Sequence, residues 1–334
     1  MQDSELKLPS DEPEQLLVKS HDTSNPEYGC EPEKRDIETL LQYGVINLDK
    51  PSGPTSHEVV TWVRKILGIP NAGHGGTLDP RVTGILPCGL GKATRVLSAL
   101  LTAGKEYVGV MYLHSPEPQK KIESIFKIFT DKIYQRPPIK SSVARKLRIR
   151  EIYYAKVLEV NENRILFRLG CEAGTYVRKF CFDIGEALCS GAHLTELRRT
   201  KVGNFNEKNN LITLQNLKDA FTIYQEEGNE YYLRKIVFPI EKMVDHMPKI
   251  FVRDTAVDAL CHGADLAAAG ICYIDARIKV GTLISLMTLK KELIGFGIAK
   301  KNALDILKSK SKIMVKTTKI FMERGLYPRW NKNK

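Results

Sequence analysis

From Lys105 to Gly191 the hydrophobic period changes between strand and helix values without regular alternation, and that excludes most architectures. "KEYVGVMYLH" (105–114) alternates apolar and polar residues as a half-buried strand does, and "IYYAKVLEV" (152–160) and "RILFRLGCEAGTYV" (164–177) are further strand-like runs. "RKFCFDIGEALC" (178–189) then has helical spacing and stops at Gly191. Runs of strands without a helix between each pair do not make a doubly wound parallel sheet. The expected class is α+β, with a mixed, largely antiparallel sheet.

The flanks extend this unit. "YGVINLDK" (43–50) reads as a strand ending in the turn "PSGPTS", after which Ser56 is expected to cap a helix, "HEVVTWVRKIL". Its apolar residues Val59, Val60, Val63, Ile66 and Leu67 keep helical spacing until Gly68 and Pro70. "ATRVLSALL" (93–101) reads as another helix, and residues 211–246 look mainly helical. At "HMPKIFVRD" the texture changes to short strands and glycine turns, with 17 basic and 7 acidic residues over the last 86. With 334 residues, about two domains are expected. We place an acidic extension at 1–42, packed on the last domain or disordered, the main domain at 43–247, and a small basic β-rich module at 248–334.

Charge narrows the partners. Residues 1–40 hold 11 acidic and 4 basic side chains, so the +12 of the whole chain rests on a strongly positive body. A polyanion is the expected partner, nucleic acid before membrane, because no basic amphipathic helix is evident. No run is long and apolar enough to span a bilayer, and the acidic start is unlike a signal peptide, so a soluble, intracellular protein is expected. Seven cysteines at irregular spacings fit reduced, buried thiols, and no His or Cys pairing suggests a metal.

Residues 73–80, "GHGGTLDP", carry the sharpest chemical signal. Pro80 holds Asp79 in extended backbone, while the glycines let the preceding chain approach a ligand closely. Alone, the stretch could equally be an ordinary turn. Arg81, Lys92 and Arg95 follow it, and "GTYVR" (174–178) offers Tyr176 and Arg178 two residues apart. On a strand these two would share a face, with Arg178 free to hold Asp79 ionised; the alternative is a surface arginine at a helix start. Tyr107 is a strand aromatic or a platform for a base. "QRPPIKSSVARKLRIR" (135–150) has six basic residues and no acid, which suits an RNA-facing loop through Arg136, Lys140, Arg145, Lys146 and Arg148.

Together, "DKPSGPTSHEVV", "GHGGTLDPRVTGILP", "GKEYV", "GCEAGTYVRKF" and "GAHLTELRRTKVGNF" resemble, in order, the motifs of the TruB-type pseudouridine synthases. The likeness extends over about residues 29–330 and is strongest to the dyskerin-like branch, the catalytic subunits of H/ACA ribonucleoproteins. "KIFVRDTAVDALCHGADLAAAGI" and "FMERGLYPRW" resemble a PUA RNA-binding module, a small β-rich pseudobarrel. The resemblance implies that Asp79 is catalytic, that Tyr107 stacks on the target base, and that Arg178 pairs with Asp79. It further implies that Tyr176 and Leu197 line the pocket, that His74 helps displace the uridine, and that Lys50 and Pro51 support the loop. Lys179-Phe180 and "AAAGI" (267–271) depart from the usual pattern without touching these positions.

The same likeness implies an RNA isomerase without cofactor or metal, in the cytoplasm of an archaeal-type cell. Its expected partners are an H/ACA guide RNA, substrate rRNA or the T-loop uridine of tRNA, Nop-family and Gar-family core proteins, and a kink-turn-binding ribosomal-type protein. The principal alternative is a non-catalytic RNA-binding scaffold of the same fold. A metal-dependent hydrolase built on Asp79 and His74 lacks further ligands at suitable spacing.

Overall fold

A computed structural model describes residues 6–137, 146–310 and 312–329. The chain divides into two compact units, residues 1–12 with 46–236 and residues 13–45 with 237–334. This division differs from the chain-ordered segments 1–42, 43–247 and 248–334 expected from the sequence. Residues 6–12 pack on the first unit, where Leu8 is buried and Asp11 pairs with Lys201, while the rest of the acidic segment belongs to the second.

Strand β1 (Gly44–Lys50), part of the first unit from Ile46 onward, leads through a tight turn into helix α1 (Ser56–Leu67). The cap of α1 is Thr55 rather than Ser56. Thr55 and Glu58 satisfy each other's backbone amides in a capping box, and Ser56 is thereby turned inward to another use. Gly68 closes the helix at φ +61°, in the left-handed region. Strand β2 (Ala72–His74) pairs antiparallel with β3 (Thr83–Leu90). The expected helix at 93–101 divides into a 3-10 turn, Gly91–Val96, and a short α-helix, Ser98–Thr102.

Strand β4 (Lys105–Leu113) buries alternate residues, as its sequence predicts. Helix α2 (Gln119–Ile128) and strands β5 (Asp131–Gln135), β6 (Arg148–Asn161) and β7 (Arg164–Cys171) follow, then α3 (Val177–Leu188) and β8 (Ala192–Val202). Strand order is β1-β3-β8-β4-β7-β6-β5. The pairings from β8 outward to β5 are antiparallel, and the β3–β8 join is parallel. Helices α2 and α3 cover one face of β4, β6 and β7, where Phe126, Phe167 and Phe180 pack at ring distances of 5.7–6.3 Å. Helices at Leu214–Glu227 and Tyr231–Ile236 complete the unit.

The strand expected over 164–177 ends at Cys171. Gly174 at φ +79° breaks the extension, the Thr175 hydroxyl donates to the Glu172 carbonyl, and Tyr176 becomes the residue that starts α3.

The second unit is built on a sheet with strands Leu16–Val18, Ile271–Asp275, Lys249–Val252, Leu283–Thr288, Leu293–Ala299, Ile313–Ile320 and Leu266–Ala267, in that order across it. Leu17 lies opposite Ile274 in an antiparallel pair. The core is aliphatic, around Ile250, Val257, Ile274, Leu286, Ile294 and Ile306. Arg35 forks onto Glu241 at 2.9 and 2.8 Å, and buried Glu292 accepts from Tyr327, Thr288 and the Cys30 amide.

Five of the seven cysteines are buried, but Cys30 and Cys189 are exposed, contrary to expectation. Cys189 occupies the left-handed position closing α3, at φ 60°, which turns its side chain away from the core.

Candidate active site

The loop that carries Asp79 is clamped from below. Lys50, at the end of β1, is fully buried, and its ammonium donates to the carbonyls of Pro51 (2.8 Å), Pro80 (2.8 Å) and Val82 (2.9 Å). Burial pushes the Lys50 amine below its usual range, and the Asp79 charge works against that shift. Ser56, freed from capping, exchanges hydrogen bonds with the backbone of Leu78, donating at 3.1 Å and accepting at 2.8 Å. The Gly53 amide donates to Pro80 at 2.9 Å. Exposed Pro51 serves this arrangement by its carbonyl and by ending β1. Asp79 is thus presented from a loop whose two sides are both anchored, with its carboxylate half in solvent.

Opposite it stands Arg178, whose guanidinium meets the Asp79 carboxylate at 3.0 Å. Arg178 lies in the first turn of α3, so it does not share a strand face with Tyr176. A helix N-terminus repels a cation, and the facing carboxylate supplies the compensation. The two side chains come together from positions 99 residues apart in sequence. Tyr176 is half-buried, and its backbone is gripped by buried Gln135, which accepts from its amide at 2.9 Å and donates to its carbonyl at 3.2 Å.

Tyr107 on β4 is only 9 % exposed, more enclosed than a free platform for a base would be. It shares one apolar cluster with Leu78, Val82 and Val177, the neighbours of Asp79 and Arg178. Burial raises the Tyr107 phenol above its usual range, and the Arg199 charge opposes the rise. Leu197, half-buried on β8, packs against the same cluster across from Gly109, where the missing Cβ leaves it room. His74 ends β2, half-buried; burial, then the charge of Arg199, hold its imidazole below the usual range and therefore neutral.

Two residues that sequence reasoning assigned no role stand out: Gln135, behind Tyr176, and Arg199, which donates to the carbonyls of Ile85 (2.8 Å) and Gly76 (3.0 Å). Neither has a local signature, because their partners lie 41 to 123 residues away.

Of the basic loop, Lys140 and Arg145 lie outside the described residues. Arg136 and Lys146 are exposed and Arg148 half-buried. Arg136 joins Arg178 and Lys179 on a groove of about 940 Å³ whose apolar walls include Tyr134, Leu147 and Phe182. Of the ion pair, Arg178 lines this groove. Among the described residues no helix is long and apolar enough to cross a membrane.

Known proteins resemble this chain over most of its length. Family models match the TruB-family pseudouridylate synthase N-terminal domain at residues 64–177, the tRNA pseudouridylate synthase B C-terminal domain at 178–245, the DKCLD domain at 3–60 and the PUA domain at 248–321. The chain is 50 % identical over 327 residues to the "Probable tRNA pseudouridine synthase B" of Methanopyrus kandleri, covering 98 % of this chain and 96 % of that one. Among solved structures it matches a chain of a Cbf5–Nop10–Gar1 complex with a TM-score of 0.94 and 50 % identity, over 98 % of this chain and 99 % of that one. It also matches a chain of an H/ACA ribonucleoprotein bound to a substrate RNA containing 2′-deoxyuridine, with a TM-score of 0.91 and 49 % identity, over 97 % and 99 %. Half-identity sustained over nearly the full length of both chains leaves one assignment: this chain belongs to the TruB family of pseudouridine synthases.

Proposed function

We propose that the protein isomerises uridine in RNA to pseudouridine as the catalytic subunit of an H/ACA guide-RNA complex. The observation that carries this reading is the Asp79–Arg178 pair at 3.0 Å, held on an anchored loop beside Tyr107 and open to solvent on one side. In the reaction the N1–C1′ bond breaks, the base turns, a C5–C1′ bond forms, C5 gives up a proton and N1 gains one. Nothing is oxidised or hydrolysed, so the chemistry requires a positioned carboxylate rather than a redox cofactor. Asp79 acts at the ribose, Arg178 holds and aims it, and Tyr107, Tyr176 and Leu197 hold the base. The base must leave its stack to arrive there, and neutral His74 lies at the loop's far end to occupy its place.

The groove leading from Arg178 past Arg136 suits a single strand, with cations for phosphates and apolar walls for bases. The basic β-rich unit, with Leu16–Val18 as one of its strands, docks guide RNA by shape and phosphate contacts. Relatives of this chain were solved with Nop10 and Gar1 and with a substrate RNA, and we extend those partners to it, together with a kink-turn-binding protein. Guided rRNA and the tRNA T loop are both substrates under this reading, which places the enzyme in the cytoplasm of an archaeal-type cell. A scaffold without activity would have no use for the Asp79–Arg178 pair.

The test is tritium release from 5-tritiated uridine in tRNA and in a guide-matched target, by the protein alone and with guide RNA and partners. Asp79→Asn should lower release by about 10³-fold or more while RNA affinity stays within about threefold. An active Asp79→Asn protein would sink the assignment.

A further inference from the structure

We propose that Arg199 is a positioning residue for this isomerisation: it holds the glycine loop ahead of Asp79 in place beside the Tyr107 ring, and so sets the width of the gap that the target base enters. The inference rests on the functional reading above.

Arg199 lies on β8 directly across from Tyr107 on β4, and it is 1 % exposed. Its Nε donates to the Ile85 carbonyl on β3 at 2.8 Å, and one terminal nitrogen donates to the Gly76 carbonyl at 3.0 Å. The guanidinium also stands across the strand pair from the Tyr107 phenol, close enough for its charge to oppose the rise that burial gives that group. A single planar fork therefore joins β3 to the glycine loop, directly beside the aromatic residue of β4. Gly76 contributes the other half of the geometry. It sits at φ +136°, where a side chain is strained, and this turn delivers its carbonyl to Arg199.

The neighbouring Arg198 shows what a structural arginine looks like here. It is partly exposed and is matched in charge by Asp49 at 3.0 and 2.9 Å and by Glu207 at 2.6 Å. Arg199, by contrast, has two carbonyls as its hydrogen-bond partners and a phenol across the strand pair, and burial presses its pKa downward. A buried cation bonded to neutral oxygens is costly to the fold, which an apolar side chain could serve as well. Its geometric return is the registration of loop against ring. Lysine supplies the charge without the plane, so Arg199→Lys separates the two.

The experiment is a double-mutant cycle on the full chain with its RNA and partner proteins, read as single-turnover tritium release. Arg199→Lys should slow release by about 10- to 100-fold, with RNA affinity within about threefold. In a Tyr107→Phe background the same change should cost less than about threefold, because the phenol beside the guanidinium is already gone. Equal losses in both backgrounds, or a rate unchanged by Arg199→Lys, would overturn the inference. Should Arg199→Lys not fold, amide exchange in Tyr107→Phe decides. Faster exchange at Gly75 to Leu78 supports the tie, and unchanged exchange refutes it. Wild-type protein that releases no tritium would instead overturn the functional reading.

Discussion

Replacing Lys50 with methionine probes the support beneath Asp79. Methionine fills similar space but withdraws the donor shared by three carbonyls. Pro51 and Pro80 are exposed, so water takes over at their carbonyls; the bond to Val82 is buried, and leaving that acceptor bare costs about 1–3 kcal/mol. Part of this is returned, since burial already disfavours the Lys50 charge. A net loss of about 2 kcal/mol lowers the melting temperature by roughly 4–8 °C in a unit of this size. The functional loss should be larger. The Leu78–Ser56 and Pro80–Gly53 bonds remain, so the loop stays attached but loses its fixed height, and a displacement of about 1 Å costs on the order of 10²-fold in rate. Thermal melting and single-turnover tritium release would be measured on the same preparation, with RNA affinity as a control. A melting point within 1 °C of wild type together with a rate within about twofold would refute the reasoning; a lower melting point with an unchanged rate would confine Lys50 to the fold.

Arg178→Lys should slow release by about 10- to 100-fold with little effect on melting, because the pair is exposed but its fork sets the aim of Asp79. Arg35→Met should destabilise the second unit by about 3 kcal/mol in denaturant titration, because it leaves buried Glu241 without its cation. His74 sets a pH dependence: with its pKa below 6.5 in the fold, the unfolded chain binds the proton first, so stability present above pH 6.5 is lost as pH falls toward the folded value. Melting curves across that window should flatten in His74→Asn, and identical slopes would count against the assignment.

The helix at 56–67, the alternation of β4 and the α+β class were legible because each depends on neighbours in sequence. The capping position was off by one residue for a long-range reason: Ser56 is required by Leu78, which left Thr55 to cap. The start of α3 at Tyr176 was similarly hidden, since the amide and carbonyl that fix it bond to Gln135. The motifs gave Asp79, Tyr107 and Arg178 as a set; the structure pairs Asp79 with Arg178 and puts Tyr107 in the apolar cluster of their chain neighbours. Arg199 sits within the quoted "ELRRTKVGNF" but looks like its neighbour Arg198 until the strand's two faces are distinguished.

The strand Leu16–Val18 carries a consequence for how the protein is made. Leu17 pairs with Ile274, 257 residues later, so at a synthesis rate of about 5–20 residues per second this segment waits roughly ten to fifty seconds for its partner. Until then Leu16 and Val18 have no sheet to join, and afterwards they seal the outer edge of Ile271–Asp275. A fragment beginning at Lys249 would leave that edge open to pairing with other chains. A later-made sheet is completed by earlier-made residues, so residues 249–334 are a poor candidate for expression by themselves.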